Sequence, residues 1–347
     1  MFLIRIVYDD IHWLHRGPVD HPENPFRIEI IVDTLLKKNY WSKLVVEETV
    51  ESNIEDLYSV HSREYVQWII DECKRGFHYI DSDTYVTKHS FEVASRFSSK
   101  AREIGYKCLR EKDIWFILAR PPGHHAGFNG IAMNAPSLGF CIFNHVAVVV
   151  KTLLDHLDKV VVIDFDLHHG NGTQEIFWND NRVIHIDIHE YGIYPGSGYV
   201  SENGGFRARG SKINIPLSKN SGDSVYAWIL KKIVEPVLYK YKPSVIVVSA
   251  GFDPFIGEPM SGLKVSDKVF HLYGYFFYQL YSDGVVKSIV NVLEGGYDIG
   301  LRKGFIAYLE GLMGINRDYI IDYKPVDKRV YESLVNIMLK YHGLEID

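Results

Sequence analysis

A doubly wound α/β fold, with a parallel sheet covered by helices on both faces, is what the sequence predicts. Three observations predict it. Short Val/Ile-rich runs alternate with helix-spaced stretches along nearly the whole chain. These runs read as apolar on both faces, as strands of a buried parallel sheet do. No internal repeat and no Pro/Gly/Ser-rich linker divides the 347 residues, so a single domain over residues 1–347 is expected.

In chain order, residues 2–8 form the first strand-like run. Ile28, Ile31, Val32, Leu35 and Leu36 then follow the i, i+3, i+4, i+7, i+8 spacing of an amphipathic helix. Further strands are expected at 114–118, 160–163, 183–188, 245–249 and 288–293, and helical spacing returns at 225–238. Such β/α alternation implies parallel strands joined by helical crossovers.

Composition narrows the function classes. Hydrophobic residues at 46% and charged residues at 24% are ordinary for a globular chain and exclude a disordered one. A net charge of −6 argues against a phosphate-backbone binder, so no direct nucleic-acid binding is expected. No apolar run approaches the roughly 20 residues of a membrane-spanning helix. Residues 2–8 are too short for a secretory leader, so no membrane association is expected. Cys73, Cys108 and Cys141 are an odd, sparse set, which points away from a disulfide framework and towards a reducing, cytoplasmic interior. The oligomeric state is left open.

Polar residues gather where the strand-like runs end. The knots are Arg120-Pro-Pro-Gly-His124-His125, the 164–172 stretch from Asp164 to Gly172, Asp187-Ile-His189, Gly251-Phe-Asp253 and Glu294-Gly-Gly-Tyr297-Asp298. Open α/β sheets bind ligands outside the carboxyl ends of their strands, so these knots are expected on one rim. Asp166 and His168 are two apart, and alternate residues of an extended strand end face the same way. With Asp253 from another strand, they make an Asp/His/Asp donor set with an open position, as a catalytic Zn²⁺ requires. The mixed oxygen and nitrogen donors also suit Fe²⁺, Mn²⁺ or Co²⁺.

His124 and His125 offer a general base and a general acid, if their partners tune them differently. Asp164 can hold one ring and raise its basicity; Asn171 can hold the other without adding charge. Tyr297 follows Glu294-Gly-Gly, and the glycines let the loop bring its phenol close to a ligand, where it can donate to a developing oxyanion.

Together these motifs resemble the zinc-dependent histone deacetylase superfamily, which includes class II-type deacetylases and acetylpolyamine amidohydrolases. The resemblance rests on Arg120 to Ala126, Gly139-Phe-Cys-Ile-Phe-Asn144, Asp164 to Gly172, Tyr194-Pro-Gly-Ser-Gly198, Ala250-Gly-Phe-Asp253 and Glu294 to Tyr297, in that order. Upstream, His21-Pro-Glu-Asn-Pro-Phe-Arg27 is also similar, and the likeness spans roughly residues 12–300.

It implies the arginase/deacetylase fold and metal-assisted hydrolysis of an acyl amide. Zinc falls on Asp166, His168 and Asp253, and the tandem histidines on His124 and His125, with His125 as proton carrier. The oxyanion tyrosine falls on Tyr297. Asp164 and Asn171 are the histidines' partners, and Phe140 and Tyr194, with Gly139, wall the substrate channel. The resemblance also implies a monovalent cation (K⁺) held by the Asp164–His168 segment and a hydroxyl on the next strand. Here that position is Asp187, an extra carboxylate that changes the charge balance. His145 is a second departure, where Asn or Asp is usual.

The implied substrates are acyl-lysine, acylated polyamines or other small acyl-amines. Polyamine-selective relatives typically carry Glu seven residues after the third metal ligand. Met260 stands there, which favours acyl-lysine or a neutral substrate. A non-catalytic module that recognises acylated partners is the reading from another class, and the full set of catalytic residue types counts against it.

Overall fold

The computed structural model describes residues 3–346. Its frame is an eight-stranded sheet whose neighbouring strands all pair in parallel. The strands are β1 (Ile4–Val7), β2 (Val45–Glu47), β3 (Ile114–Ile117), β4 (Val160–Asp164), β5 (Val183–Glu190), β6 (Lys212–Leu217), β7 (Val245–Ala250) and β8 (Ser288–Leu293). Their order across the sheet is β6-β5-β4-β7-β8-β3-β1-β2. The chain runs outward from β4 through β5 to β6 and then returns to the other side of β4 as β7. This reversal is the switch point at which doubly wound sheets bind ligands.

Alternation along the strands explains why both faces are dry. Val160 and Val162 of β4 pack on one side with Val245, Val247, Val290 and Val292. Val161 and Ile163 pack on the other with Ile246, Val248 and Ile289. The first face is covered by helices 90–107 and 145–153, through Val93, Phe97 and Ile104 and through Val146 and Val148 to Val150. The second is covered by helix 26–37, which buries Ile28, Ile31 and Leu35, and by helices 267–282 and 306–312.

Three differences from the sequence reading have physical causes. The edge strands β2 and β6 were not expected. Lys212, Asn214 and Pro216 interrupt the apolar pattern of β6, and an edge position is where a strand tolerates proline. The helix expected at 225–238 is continuous over 223–241 but carries a π-helical turn at Leu230–Val234. Pro236, just beyond that turn, has no N–H to donate four residues back. Finally, β5 is not apolar on both faces. Ile184, Ile186 and Ile188 enter the core, whereas His185, Asp187 and His189 share the opposite face, all buried.

Candidate active site

Four adjacent strands, β4, β7, β8 and β3, deliver the site. The loop after β4 carries Asp166 and His168, and the loop after β7 carries Asp253. Tyr297 follows β8, and His124 and His125 follow β3. The strand β4 ends at Asp164, so Asp166 and His168 sit in the loop beyond it rather than on an extended strand end as expected. They converge through loop hydrogen bonds instead: Asp166 N–H donates to Asp164 Oδ1 at 3.0 Å, and His168 N–H donates to Asp166 Oδ1 at 2.9 Å.

Asp166, His168 and Asp253 each place a donor atom within 4.8 Å of the others. His168 Nδ1 lies 3.3 Å from Asp166 Oδ1 and 3.2 Å from Asp253 Oδ2. Asp253 Oδ2 is buried and makes no well-directed hydrogen bond. Burial and the neighbouring Asp166 charge push the Asp253 carboxyl up to about 6. A pair of desolvated carboxylates with an orphaned oxygen is relieved by a cation, and the donor set fits Zn²⁺ or a similar divalent ion.

The two histidines differ as their partners do. His124 Nδ1 is 3.0 Å from Asp164 Oδ2, and His125 Nδ1 is 2.7 Å from Asn171 Oδ1. Burial alone would depress His124, but Asp166, Asp164 and Glu294 override it and hold the ring well above the usual histidine range. Burial also acts on His125, and there the His124 and His168 charges push the same way, so it is held well below that range. The two rings are pushed in opposite directions, His124 towards the cation and His125 towards the neutral base.

A cavity of about 140 Å³ opens beside these groups. Phe140, Tyr194, Met260 and Tyr297 line it, with Asp83 among its other residues. The Tyr194 ring meets His125 edge-on at 4.8 Å, and its hydroxyl donates to Ser137 O at 2.9 Å, which fixes it as a wall. Phe140 meets Tyr297 edge-on at 6.0 Å. Gly139, at φ +54°, is required: a Cβ there would lie 2.7 Å from both His125 and Tyr194. Desolvation, aided by the Asp253 and Asp166 charges and opposed by Arg27, keeps the Tyr297 phenol well above its ordinary value and therefore protonated.

Three residues that hold this arrangement were given no role from the sequence. Arg27 Nε donates to Gly296 O at 2.7 Å, and its guanidinium lies 4.9 Å from the Tyr297 ring centre. Glu258 accepts from the backbone N–H of Tyr297, Asp298 and Gly300 at 3.1, 3.0 and 2.7 Å. Glu294 accepts from Gly123 and His124 N–H at 2.8 and 3.1 Å, joining the ends of β8 and β3. Their hydrogen bonds here are to backbone, which leaves no spacing signal, although Arg27 and Glu294 lie within the motifs that carry the resemblance. His145 is buried between Ser98 Oγ at 2.9 Å and Pro121 O at 3.1 Å, outside the cavity.

The implied alkali ion fits poorly. Asp187 is fully buried with its Oδ1 2.6 Å from His189 Nδ1, and its Oδ2 accepts from Gly170 N–H at 2.9 Å. Imidazoles and a second carboxylate surround the position where neutral oxygens suit a weakly held monovalent ion. Among the described residues, no helix is long and apolar enough to cross a membrane.

Known proteins resemble this chain over most of its length. A family model described as the histone deacetylase domain matches residues 21–311. An uncharacterised protein of Methanocaldococcus jannaschii is 39% identical, with 99% of this chain and 98% of that protein aligned. A probable deacetylase of Methanothermobacter thermautotrophicus is 36% identical, covering 90% of this chain and 91% of its own. The crystal structure of the HDA15 HD domain superposes with a TM-score of 0.86 at 26% identity, over 98% of this chain and 96% of that one. Family, fold and relatives agree: the chain belongs to the histone deacetylase family.

Proposed function

We propose that the chain is a zinc-dependent, single-domain amidohydrolase that removes acetyl or other acyl groups from the side-chain amine of acyl-lysine. The observation that carries this reading is the placement of the Asp166/His168/Asp253 donor set at the foot of a narrow, aromatic-walled cavity, beside one cationic and one neutral histidine. When bound there, a divalent ion would polarise the acyl carbonyl and acidify water. The protein's own residues do the rest.

His125, neutral and oriented through Nδ1 by Asn171, accepts the water proton and returns it to the leaving amine. His124, kept cationic by Asp164 and Asp166, orients the nucleophile and offsets developing negative charge. Tyr297, protonated and braced by Arg27 and Glu258, donates to the tetrahedral oxygen. Phe140 and Tyr194 admit a linear alkyl chain and exclude branched amides.

The acetylpolyamine reading shares every one of these groups, and Asp83 at the cavity is the feature that favours it. Met260 favours acyl-lysine, because it places an apolar side chain where a second ammonium group would need a carboxylate. Acetyl-lysine amide is therefore expected to have a higher kcat/KM than N-acetylspermidine, and Met260→Glu to shift that ratio towards the polyamine. A wild-type preference for acetylspermidine would overturn the substrate assignment while leaving the chemistry intact.

A further inference from the structure

The polar face of β5 raises a problem that its neighbours do not fully solve. Asp187 pairs in register with Asp164 of β4, so two carboxylates stand directly opposite one another in the sheet. Both are fully buried. Opposed carboxyls in a sheet repel one another wherever both ionise, and burial strengthens the penalty. His124 faces Asp164 Oδ2 and His189 faces Asp187 Oδ1. The other side of Asp187 faces two further imidazoles: His185 Nε2 lies 3.6 Å from Oδ2, and His169 Nε2 lies 4.0 Å from it.

Neither of those nitrogens makes a well-directed hydrogen bond, and His185 Nδ1 makes none either, although both rings are only 1% exposed. Asp164, His185 and Asp187 each put a donor atom within 4.8 Å of the others. Gly170 lies close against both carboxylates: a Cβ there would come within 2.5 Å of Asp164 Oδ2 and 3.2 Å of Asp187 Oδ2.

We propose that Asp164, His185 and Asp187, with His169 Nε2 as a further donor, form a second divalent-metal site in addition to the Asp166/His168/Asp253 set. The class of ion follows from the donors. Imidazole nitrogen is a poor partner for an alkali cation and a good one for Zn²⁺, Co²⁺ or Fe²⁺, while two carboxylates match a double positive charge. A divalent ion offsets the opposed carboxylates and uses the unpartnered His185 nitrogens, with His169 Nε2 nearby. It also staples β4 to β5 at the point where the loop bearing Asp166 and His168 departs. The site is therefore structural, and it stands apart from the catalytic reading above.

The test is metal stoichiometry on the full chain. The protein is stripped with a chelator, reloaded with excess Zn²⁺, freed of unbound ion by gel filtration and measured by elemental analysis. Wild type is expected to hold two zinc ions per chain, and His185→Gln and Asp187→Asn one each. His168→Ala should also hold one, the other one, so the variants separate failure of this proposal from failure of the catalytic assignment. Loading His168→Ala with Co²⁺ should give visible absorption bands from nitrogen and oxygen ligation, and His185→Gln should change them. A wild type with one zinc ion that is lost in His168→Ala overturns the proposal even if the β5 variants do not fold. So do two zinc ions retained by both β5 variants. One zinc ion together with a melting temperature that rises saturably with K⁺, but not with tetramethylammonium, would show an alkali site instead.

Discussion

Tyr297 condenses the chemistry into one hydroxyl. Its ring is held by Phe140 and the Arg27 guanidinium, and its backbone by Glu258, so removing the hydroxyl should leave the loop in place. Tyr297→Phe is expected to lower kcat by about 10²–10³-fold with metal content unchanged, or by less where the bound ion shares the oxyanion's charge. A raised KM with intact kcat would instead mark the residue as a ground-state binder. The residues that face the cavity were legible in the sequence because reactive side chains are scarce types at strand ends. Glu258 was not, since a carboxylate that caps three backbone N–H groups looks like any surface glutamate until the loops are folded.

Two histidines away from the chemistry set an acid limit on stability. His61 Nδ1 lies 2.8 Å from Gly127 O, while its Nε2 accepts from Asn144 N–H at 3.0 Å, so the ring is neutral. Burial lowers His61 and His145 from 6.5 to about 4 each. Between those values the unfolded chain binds more protons than the folded one, so stability rises with pH across that window. Their contribution is complete above about 6.5 and is lost as the pH falls through 4. Melting temperature should therefore drop as the pH is lowered from 7 towards 4, and His145→Asn should flatten that slope by the uptake of about one proton. An unchanged slope in the variant would show that His145 is not buried as a neutral ring.

At the scale of elements, the fold depends on how the upstream loops are tied to the sheet. Arg120, at the end of β3, is fully buried and donates to Glu23 Oε2 at 2.9 Å, to His12 O at 2.8 Å and to His15 O at 2.7 Å. Burial would raise the Glu23 carboxyl, but Arg120 holds it well below the usual range. The pair therefore locks the segment around His21 to the loop that carries His124 and His125. Glu23→Gln leaves a buried guanidinium without its counter-charge and should cost about 3–5 kcal/mol in denaturant unfolding. A loss below about 1 kcal/mol would mean that water reaches the site, as at an exposed ion pair.

The central strands β3, β4, β7 and β8 could be read from apolar runs because both their faces are buried. The edge strands could not, since a solvent-facing or proline-bearing edge has no such run. In β5 the isoleucines gave the strand away, while the polar face between them disguised its second role.

At the scale of the whole molecule, the switch point in the sheet order brings the β4 and β7 loops together, and neighbouring β8 and β3 complete the rim. Asp166, His168 and Asp253 meet only because the chain reverses beside β4. The polar knots at the strand ends foretold this convergence, whereas the loop geometry that aims Asp166 and His168 lay beyond a strand-end argument. The most direct measurement is turnover of an acetyl-lysine amide by the chelated protein before and after zinc is restored, for wild type and His168→Ala. Wild type should lose activity on chelation and regain it with zinc, and His168→Ala should stay inactive under both conditions. Full activity in chelated wild type, or in zinc-treated His168→Ala, would contradict a hydrolase built on that metal site.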